Sequence, residues 1–248
     1  MDLQQSYGFA HFLSQTDAVG KSLFVVLLLM SLATWYLIVA KGLQVFLTRR
    51  RSARFLDTFW SMPSLNAVER HLEQHHPDEP FSHLAYHAIV AARHHARHGV
   101  NRLDEAGSKS EFLTRSMRRV IDEETARLEW GLTVLASVGS TAPFVGLFGT
   151  VWGVYHALVA IGISGQGTLD KVAGPVGEAL IMTGAGLAVA IPAVLAYNAF
   201  VRSNRMVLAK LDAFAHDLYS FLTTGAHFEA ETANGNRRTQ PQVVKGAA

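Results

Sequence analysis

The sequence predicts an all-α membrane protein, with three transmembrane helices and long cytoplasmic helical extensions. Charged residues make up only 17% of the 248-residue chain, against about 25% in an average soluble domain. They are nearly absent from three long stretches, and the polar segments between those stretches contain few glycines or prolines. Because a bilayer core of ~30 Å needs about 20 helical residues, each stretch is long enough to cross it.

The first transmembrane helix is predicted at residues 22–40, a charge-free stretch bounded by Lys21 and Lys41. A cleaved signal peptide is the alternative. The stretch lacks the basic region that precedes such a peptide, and it is longer than the usual apolar run of about 7–15 residues. An uncleaved span is therefore favoured, and residues 1–21 are expected to form a periplasmic N-terminal segment.

The second and third transmembrane helices are predicted at 130–161, with its cytoplasmic end, and at 172–201. No Asp, Glu, Lys or Arg occurs from 130 to 169, and Glu178 is the single charge from 172 to 201. Forty helical residues would reach ~60 Å, too long for one simple crossing. The glycine-rich stretch at the end of this run therefore indicates a periplasmic turn over 162–171.

Basic residues decide the expected orientation, because they concentrate on the cytoplasmic side of membrane spans. They are more numerous after the first and third spans than before them: Lys41, Arg49, Arg50, Arg51 and Arg54 against Lys21, and Arg202, Arg205 and Lys210 against Lys171. The N-terminus is thus predicted outside and the C-terminus inside.

The polar segments are predicted to be mainly helical. Residues 41–129 should form a cytoplasmic helical loop, whose last part, 112–130, has no Gly or Pro and should run directly into the second span. Residues 202–228 should extend the third span as a cytoplasmic helix. The polar tail, 229–248, is expected to be disordered.

Eight of the 12 histidines fall between residues 71 and 98. Three pairs have the i, i+4 spacing that allows two histidines on a helix to share a metal: His71/His75, His83/His87 and His94/His98. The sequence HLEQH differs from the HExxH metalloprotease motif in the position of its glutamate, and nearby residues complete no ligand set. A solvated helical face is the favoured interpretation, and no metal or cofactor is predicted.

Small residues recur along the second and third spans at spacings of three and four. The glycines predicted to mediate helix packing are Gly139, Gly146, Gly149, Gly153 and Gly186. Such a seam lets two helix backbones approach closely in a membrane. Packing of the two spans on each other explains part of it, and contact with other subunits is expected to explain the rest. Pro192 is predicted to kink the third span.

Three polar residues inside the spans are candidates for a polar path. Counting 1.5 Å per residue from the predicted outer ends places Thr150 and Thr183 together near the bilayer midplane. Two interpretations are open from the sequence: each hydroxyl bonds to its own helix at i−4, or the pair lines the path. Glu178 is a functional candidate because a carboxylate within a span is costly. Its alternative is an ion pair with Lys171.

The composition argues against several other classes. A formal charge of +2 is too small for a nucleic-acid footprint. The chain has no cysteine, which excludes disulfide scaffolds and thiolate chemistry. No nucleophile elbow, P-loop or metal motif indicates an enzyme.

Two runs, STAPFVGLFGTVWGV at 140–154 and EALIMTGAGLAVAIPAVLAYN at 178–198, resemble the MotA/TolQ/ExbB proton channel family. The resemblance implies a bacterial inner-membrane subunit of an energy-transducing motor. It implies a homopentamer around the single spans of an ExbD-like partner, with proton flow transmitted through a TonB-like transducer to outer-membrane import of siderophores and vitamin B12. The family's polar pore residues match Thr150, Glu178 and Thr183.

Three alternatives remain open at this stage. One is a TolQ-type subunit of the Tol-Pal envelope system, which the spans alone do not distinguish. Another is an autonomous ion channel that conducts without a partner. The third is an inert scaffold, in which Glu178 would be dispensable.

Overall fold

The computed structural model describes residues 17–74, 79–98, 109–164 and 169–224. These ranges form helices and no strand. The six helices are α1 (Ala18–Ser61), α2 (Leu65–Gln74), α3 (Pro80–His98), α4 (Lys109–Glu129), α5 (Leu132–Ser164) and α6 (Leu169–Thr224). Residues 1–16 and the tail predicted at 229–248 lie outside the described residues.

Three helical segments are long and apolar enough to cross a membrane, which confirms the predicted fold class. They are α1, the α4–α5 segment and α6. The first and last continue far past the predicted spans: α1 has 44 residues and α6 has 56. At 1.5 Å per residue these helices are ~66 Å and ~84 Å long, so each extends well beyond a bilayer core at one or both ends.

The prediction that the helix at 112–130 runs directly into the second span is wrong. A two-residue turn, Trp130–Gly131, separates α4 from α5, and Gly131 has φ of 78°. This left-handed conformation favours glycine. A Cβ at Gly131 would also lie 2.9 Å from Cδ2 of Leu37 on α1. The break therefore allows α1 to approach where α4 meets α5.

The predicted turn at 162–171 is too wide. Helix α5 continues to Ser164 and α6 begins at Leu169. The first residues of the predicted turn, through Ser164, and its last residues, from Leu169, are therefore helical. Helix α6 also continues through Pro192, and the kink there stays a prediction.

Two hydrophobic cores hold the helices together. One lies between the ends of α1 and α6 and the short helices α2, α3 and α4, where the rings of Phe59 and Phe214 pack 5.2 Å apart in an edge-to-face arrangement. The other joins α1, α5 and α6 and includes Leu27, Leu135 and Ala193. The second core is the one that positions the candidate site.

The contact between α5 and α6 is a backbone-to-backbone contact. A Cβ at Gly146 would lie 2.6 Å from the carbonyl oxygen of Met182 and 3.0 Å from Cα of Gly186. A Cβ at Gly186 would lie 2.7 Å from the carbonyl oxygen of Ala142. Real Cβ atoms do not approach backbone atoms so closely, so both positions require glycine at this helix spacing.

The other small residues continue the same seam. Their facing partners are Val194 for Gly139, the Met182 side chain for Gly149 and Ala179 for Gly153. Gly184, which the sequence pattern sets off the main seam, is exposed and has no atom within 4 Å of a Cβ placed on it.

Substitution of Gly186 by valine is expected to destabilise the α5–α6 pair by about 1–3 kcal/mol, the usual cost of overpacking a close contact. The matched control is Gly184→Val, which places the same side chain two residues away in open space. The measurement is the unfolding temperature of the detergent-solubilised protein. Equal losses for the two variants would show that helix propensity, not the contact, determines the effect.

Candidate functional site: a hydroxyl pair between two glycine-packed helices

The hydroxyl groups of Thr150 and Thr183 form a hydrogen bond with each other across α5 and α6. The glycine seam makes this contact possible. Gly149 and Gly153 on α5 face Met182 and Ala179 on α6, which brings two β-branched polar residues within reach of one another. Both threonines are half-buried.

Two carbonyl groups lie next to this hydroxyl pair. The Thr150 Oγ1 atom is 3.2 Å from the carbonyl oxygen of Gly146, on its own helix, and 3.2 Å from that of Ala179 on α6. A hydroxyl has one proton to donate and two lone pairs to accept with. When Thr150 donates to either carbonyl, Thr183 is the donor to Thr150. The i−4 bond that the sequence offered as one interpretation is thus available to Thr150 together with the bonds to α6, and the lining of a polar path stays a prediction.

Such a pair is able to accept and donate protons in hydrogen bonds, and it does not carry charge near neutral pH. It orients water or a carboxyl group that lies against it, and its direction of donation reverses when both hydroxyls rotate. A charged proton carrier at this position has to be another group.

Glu178 lies on α6, five residues before Thr183. Its side chain is outside the described residues, so its pairing with Lys171 remains a prediction. At 1.5 Å per residue it lies about 7.5 Å from Thr183 along the helix. Its neighbour Ala179 belongs to the seam, facing Gly153.

The threonines lie level with the outer end of α1, and their position near the bilayer midplane stays a prediction. Trp152 donates from Nε1 to a carboxylate oxygen of Asp17 at 2.7 Å. Asp17 is the N-cap of α1, where its other oxygen accepts from the Gly20 N–H. The contact between Leu37 of α1 and Gly131 indicates the same alignment of the two helices, because each of these residues lies about 20 residues from the Asp17–Trp152 contact, towards the opposite end of the bundle. Helix α5 extends well past the N-terminus of α1, because it continues from Trp152 to Ser164.

A second polar contact, at the opposite end of the bundle, was not predicted. Lys41 is only 1% exposed, and its Nζ donates to the carbonyl oxygen of Leu128 at 2.8 Å. The buried Asn204 side chain on α6 donates to the same oxygen at 2.5 Å. In an unbroken helix that carbonyl would accept from the N–H of residue 132. The break at Trp130–Gly131 frees it, and the two side chains take that place.

The sequence shows Lys41 only as a charge at the end of an apolar run. A signal was available in the pattern: Leu43, Phe46 and Leu47 follow it and are exposed apolar residues. An apolar stripe that continues past a lysine indicates that the lysine faces the protein, while the stripe faces lipid.

The effects of Lys41→Met and Asn204→Ala on the free energy of unfolding are expected to be non-additive. Each single variant leaves the Leu128 carbonyl with one donor, and the double variant leaves it with none. The double variant should therefore lose about 1–3 kcal/mol more unfolding free energy than the sum of the two single losses, which is the cost of an unsatisfied buried acceptor. The measurement is the free energy of unfolding of the four proteins in detergent. Lys41→Met combined with Asn198→Ala, an exposed position on α6, is the additive control. Additivity in both pairs would contradict the shared acceptor.

The histidine-rich helix α3 contains an ordered pair. The rings of His83 and His87 lie edge to face at 4.6 Å, and His83 Nδ1 is 2.7 Å from a carboxylate oxygen of the buried Glu124. No group of three metal-ligating side chains occurs among the described residues. His75 and the side chain of His98 lie outside them, so the other two predicted pairs are not tested.

Partial burial lowers the pKa of His87 below its ordinary 6.5; the nearby His83 and Arg119 lower it further, and Glu123 partly opposes them. The folded protein therefore resists a proton that the unfolded chain accepts, and stability falls as the pH drops below about 6.5. We expect His87→Gln to lose less thermal stability between pH 7.5 and 5.5 than the parent. His216→Gln, at an exposed histidine on α6, is the control. Parallel pH profiles for parent and His87→Gln would contradict this.

The fold and the site define a helical membrane protein in which two closely packed spans present polar groups within an otherwise apolar bundle. The model of the MotA/TolQ/ExbB proton channel family matches residues 82–213, and the chain belongs to that family. The match includes the hydroxyl pair, Glu178 and the glycine seam.

Named relatives match over most of the chain. A biopolymer transport protein ExbB from Xanthomonas campestris pv. campestris (strain B100) is 44% identical over 227 residues, covering 88% of this chain and 90% of that protein. Another ExbB, from Neisseria meningitidis, is 45% identical and covers 82% and 91%. A Tol-Pal system protein TolQ from Pseudomonas aeruginosa is 32% identical and covers 87% and 92%. The family is a class of membrane transport proteins, not of enzymes.

Proposed function

We propose that this chain is the ExbB-type inner-membrane subunit of a TonB–ExbB–ExbD motor, which couples the proton motive force to import of siderophores or vitamin B12 across the outer membrane. The observation that carries the proposal is the Thr150–Thr183 pair between two glycine-packed helices of a proton channel family member. The ExbB type is favoured over the TolQ type because relatives named ExbB reach 44–45% identity, while the Tol-Pal relative has 32%.

The exposed surface of α5 and α6 supports an oligomer. Both helices carry large apolar side chains at or beyond the level where α1 ends on the outer side, and these side chains are 41–84% exposed. They are Val151, Tyr155, Leu158, Val159, Ile163, Leu180 and Ile181. Lipid covers such side chains only within the hydrocarbon core, and α1 does not shield this part of the bundle. Neighbouring copies of the chain in the proposed pentamer, and the single span of an ExbD-like partner, would cover them.

The proposed orientation has the N-terminus in the periplasm and the C-terminus in the cytoplasm, as the basic residues indicate. The Thr150–Thr183 pair then lies towards the periplasmic end of the bundle, with Glu178 still nearer the periplasm. Protons would reach Glu178 and the hydroxyls first. The acid that carries them further is contributed by the partner helix, and a TonB-like transducer takes up the resulting motion.

Replacement of Glu178 by alanine is expected to abolish siderophore-dependent growth, and to abolish proton flux in liposomes that contain the partner, because the route loses its single charged group in the spans. The pentamer should still form, as counted by native mass spectrometry. Asp212→Ala, at an exposed carboxylate on α6, is the control.

Three results would contradict the motor. Wild-type growth of Glu178→Ala would remove that residue from the pathway and favour a scaffold. Full proton flux from the chain without a partner would favour an autonomous channel. Rescue of a strain lacking TolQ, with no rescue of one lacking ExbB, would assign the chain to the Tol-Pal system.

A further inference from the structure

A cavity of about 300 Å³ lies between α1 and α6, beside the start of α3. It has both polar and apolar walls. Its lining includes Thr48, Arg49 and Ser52 from α1, Met206 and Lys210 from α6, and Phe81 from α3. The proposed proton route does not include any of these residues.

The charged groups of this cavity are cations. Arg49 is fixed towards α6, because one of its terminal nitrogens donates to Ser203 Oγ at 3.1 Å. A guanidinium has five N–H donors, so this bond leaves donors for an anion. Lys210 lines the same cavity from the facing helix. Arg50 and Arg51 follow Arg49 directly and add to the local positive potential.

The acidic group that contacts the lining residue Ser52 is already engaged. Glu79, at the start of α3, is only 7% exposed. One carboxylate oxygen accepts from Ser52 Oγ at 2.6 Å, and the other accepts from the N–H of Ser82, also at 2.6 Å. These bonds orient Glu79 to cap α3 and attach α3 to α1, and neither Arg49 nor Lys210 forms a described ion pair with it.

The cavity lies where the apolar surface of α1 ends. Exposed apolar side chains run along α1 from Val25 to Leu47, a length of ~33 Å at 1.5 Å per residue. This matches a bilayer core of ~30 Å. The first residues beyond it, Thr48 and Arg49, line the cavity, at the depth of lipid headgroups.

The geometry points to a binding site for the headgroup of an anionic phospholipid, with the phosphate between Arg49 and Lys210 and the acyl chains along the exposed face of α1. Phospholipid is favoured over a free anion because Leu56, Phe81, Met206 and Val207 make the walls largely apolar. Basic residues that immediately follow a transmembrane helix commonly bind anionic lipids.

The test uses the full-length protein in nanodiscs of phosphatidylglycerol or of phosphatidylcholine. After mild delipidation, native mass spectrometry counts the lipids retained per chain. We expect preferential retention of phosphatidylglycerol, and about 30-fold weaker binding in the double variant Arg49→Gln/Lys210→Gln, as estimated for loss of two cations near a membrane surface. Arg70→Gln/Arg118→Gln removes the same charge from exposed positions on α2 and α4 and should retain the lipid.

Four outcomes would overturn the proposal. Equal loss of lipid in the two double variants would show a nonspecific charge effect. Equal retention of the two lipids by the parent would show that the phosphate charge is not recognised. Displacement of phosphatidylglycerol by millimolar inorganic phosphate would indicate a free-anion site. A changed subunit count in Arg49→Gln/Lys210→Gln alone, with lipid retained, would indicate that a second copy covers the cavity. An unchanged unfolding temperature confirms that the variants are folded.

Discussion

The approach of α5 to α6 at Gly146 and Gly186 is the constraint on which the rest of the membrane bundle depends. Inside a bilayer the hydrophobic effect does not drive two helices together, so association depends on close packing and hydrogen bonds. With Cβ positions 2.6–3.0 Å from the opposing backbone, a side chain at either glycine would separate the helices. Separation by even 1–2 Å would remove Thr150 from both Thr183 and the Ala179 carbonyl. The polar contact is therefore a consequence of the glycines, and it in turn favours one register.

Much of this was predictable because helix periodicity is a local property of the sequence. Spacings of three and four placed the five seam glycines on one face of each helix, and absence of charge identified the three apolar segments. The meeting of Thr150 with Thr183 followed from matching two helices that are joined by a short connection. The structure brings these residues together; their participation in proton movement is still a proposal, as is the role of Glu178.

Three features could not be read from local patterns, because each depends on the register between helices distant in sequence. The partner of the buried Lys41, the Leu128 carbonyl, lies 87 residues away. The close packing of Gly131 against Leu37, where a Cβ would lie 2.9 Å from a leucine methyl carbon, joins residues of two different helices. The level of Thr150 relative to α1 follows from the contact of Trp152 with Asp17, 135 residues apart in sequence. The span lengths were consistent with several such registers.

The two polar contacts at the ends of the bundle limit how a proton could cross it. The Thr150–Thr183 pair and the Lys41–Leu128–Asn204 contact are separated by about 22 residues, from Leu128 at the end of α4 to Thr150 on α5, or ~33 Å at the helical rise. Over most of this interval, residues 22–40, 132–149 and 184–201 contain no carboxylate, lysine, arginine or histidine. Charged residues lie only near its two ends, at Lys21, Glu129 and Arg202. Threonine hydroxyls orient a proton donor but do not hold the charge. A proton that passes this interval along the bundle therefore has to be held by water or by a titratable side chain of another polypeptide, and the tightly packed glycine seam leaves that polypeptide only the outer faces of α5 and α6.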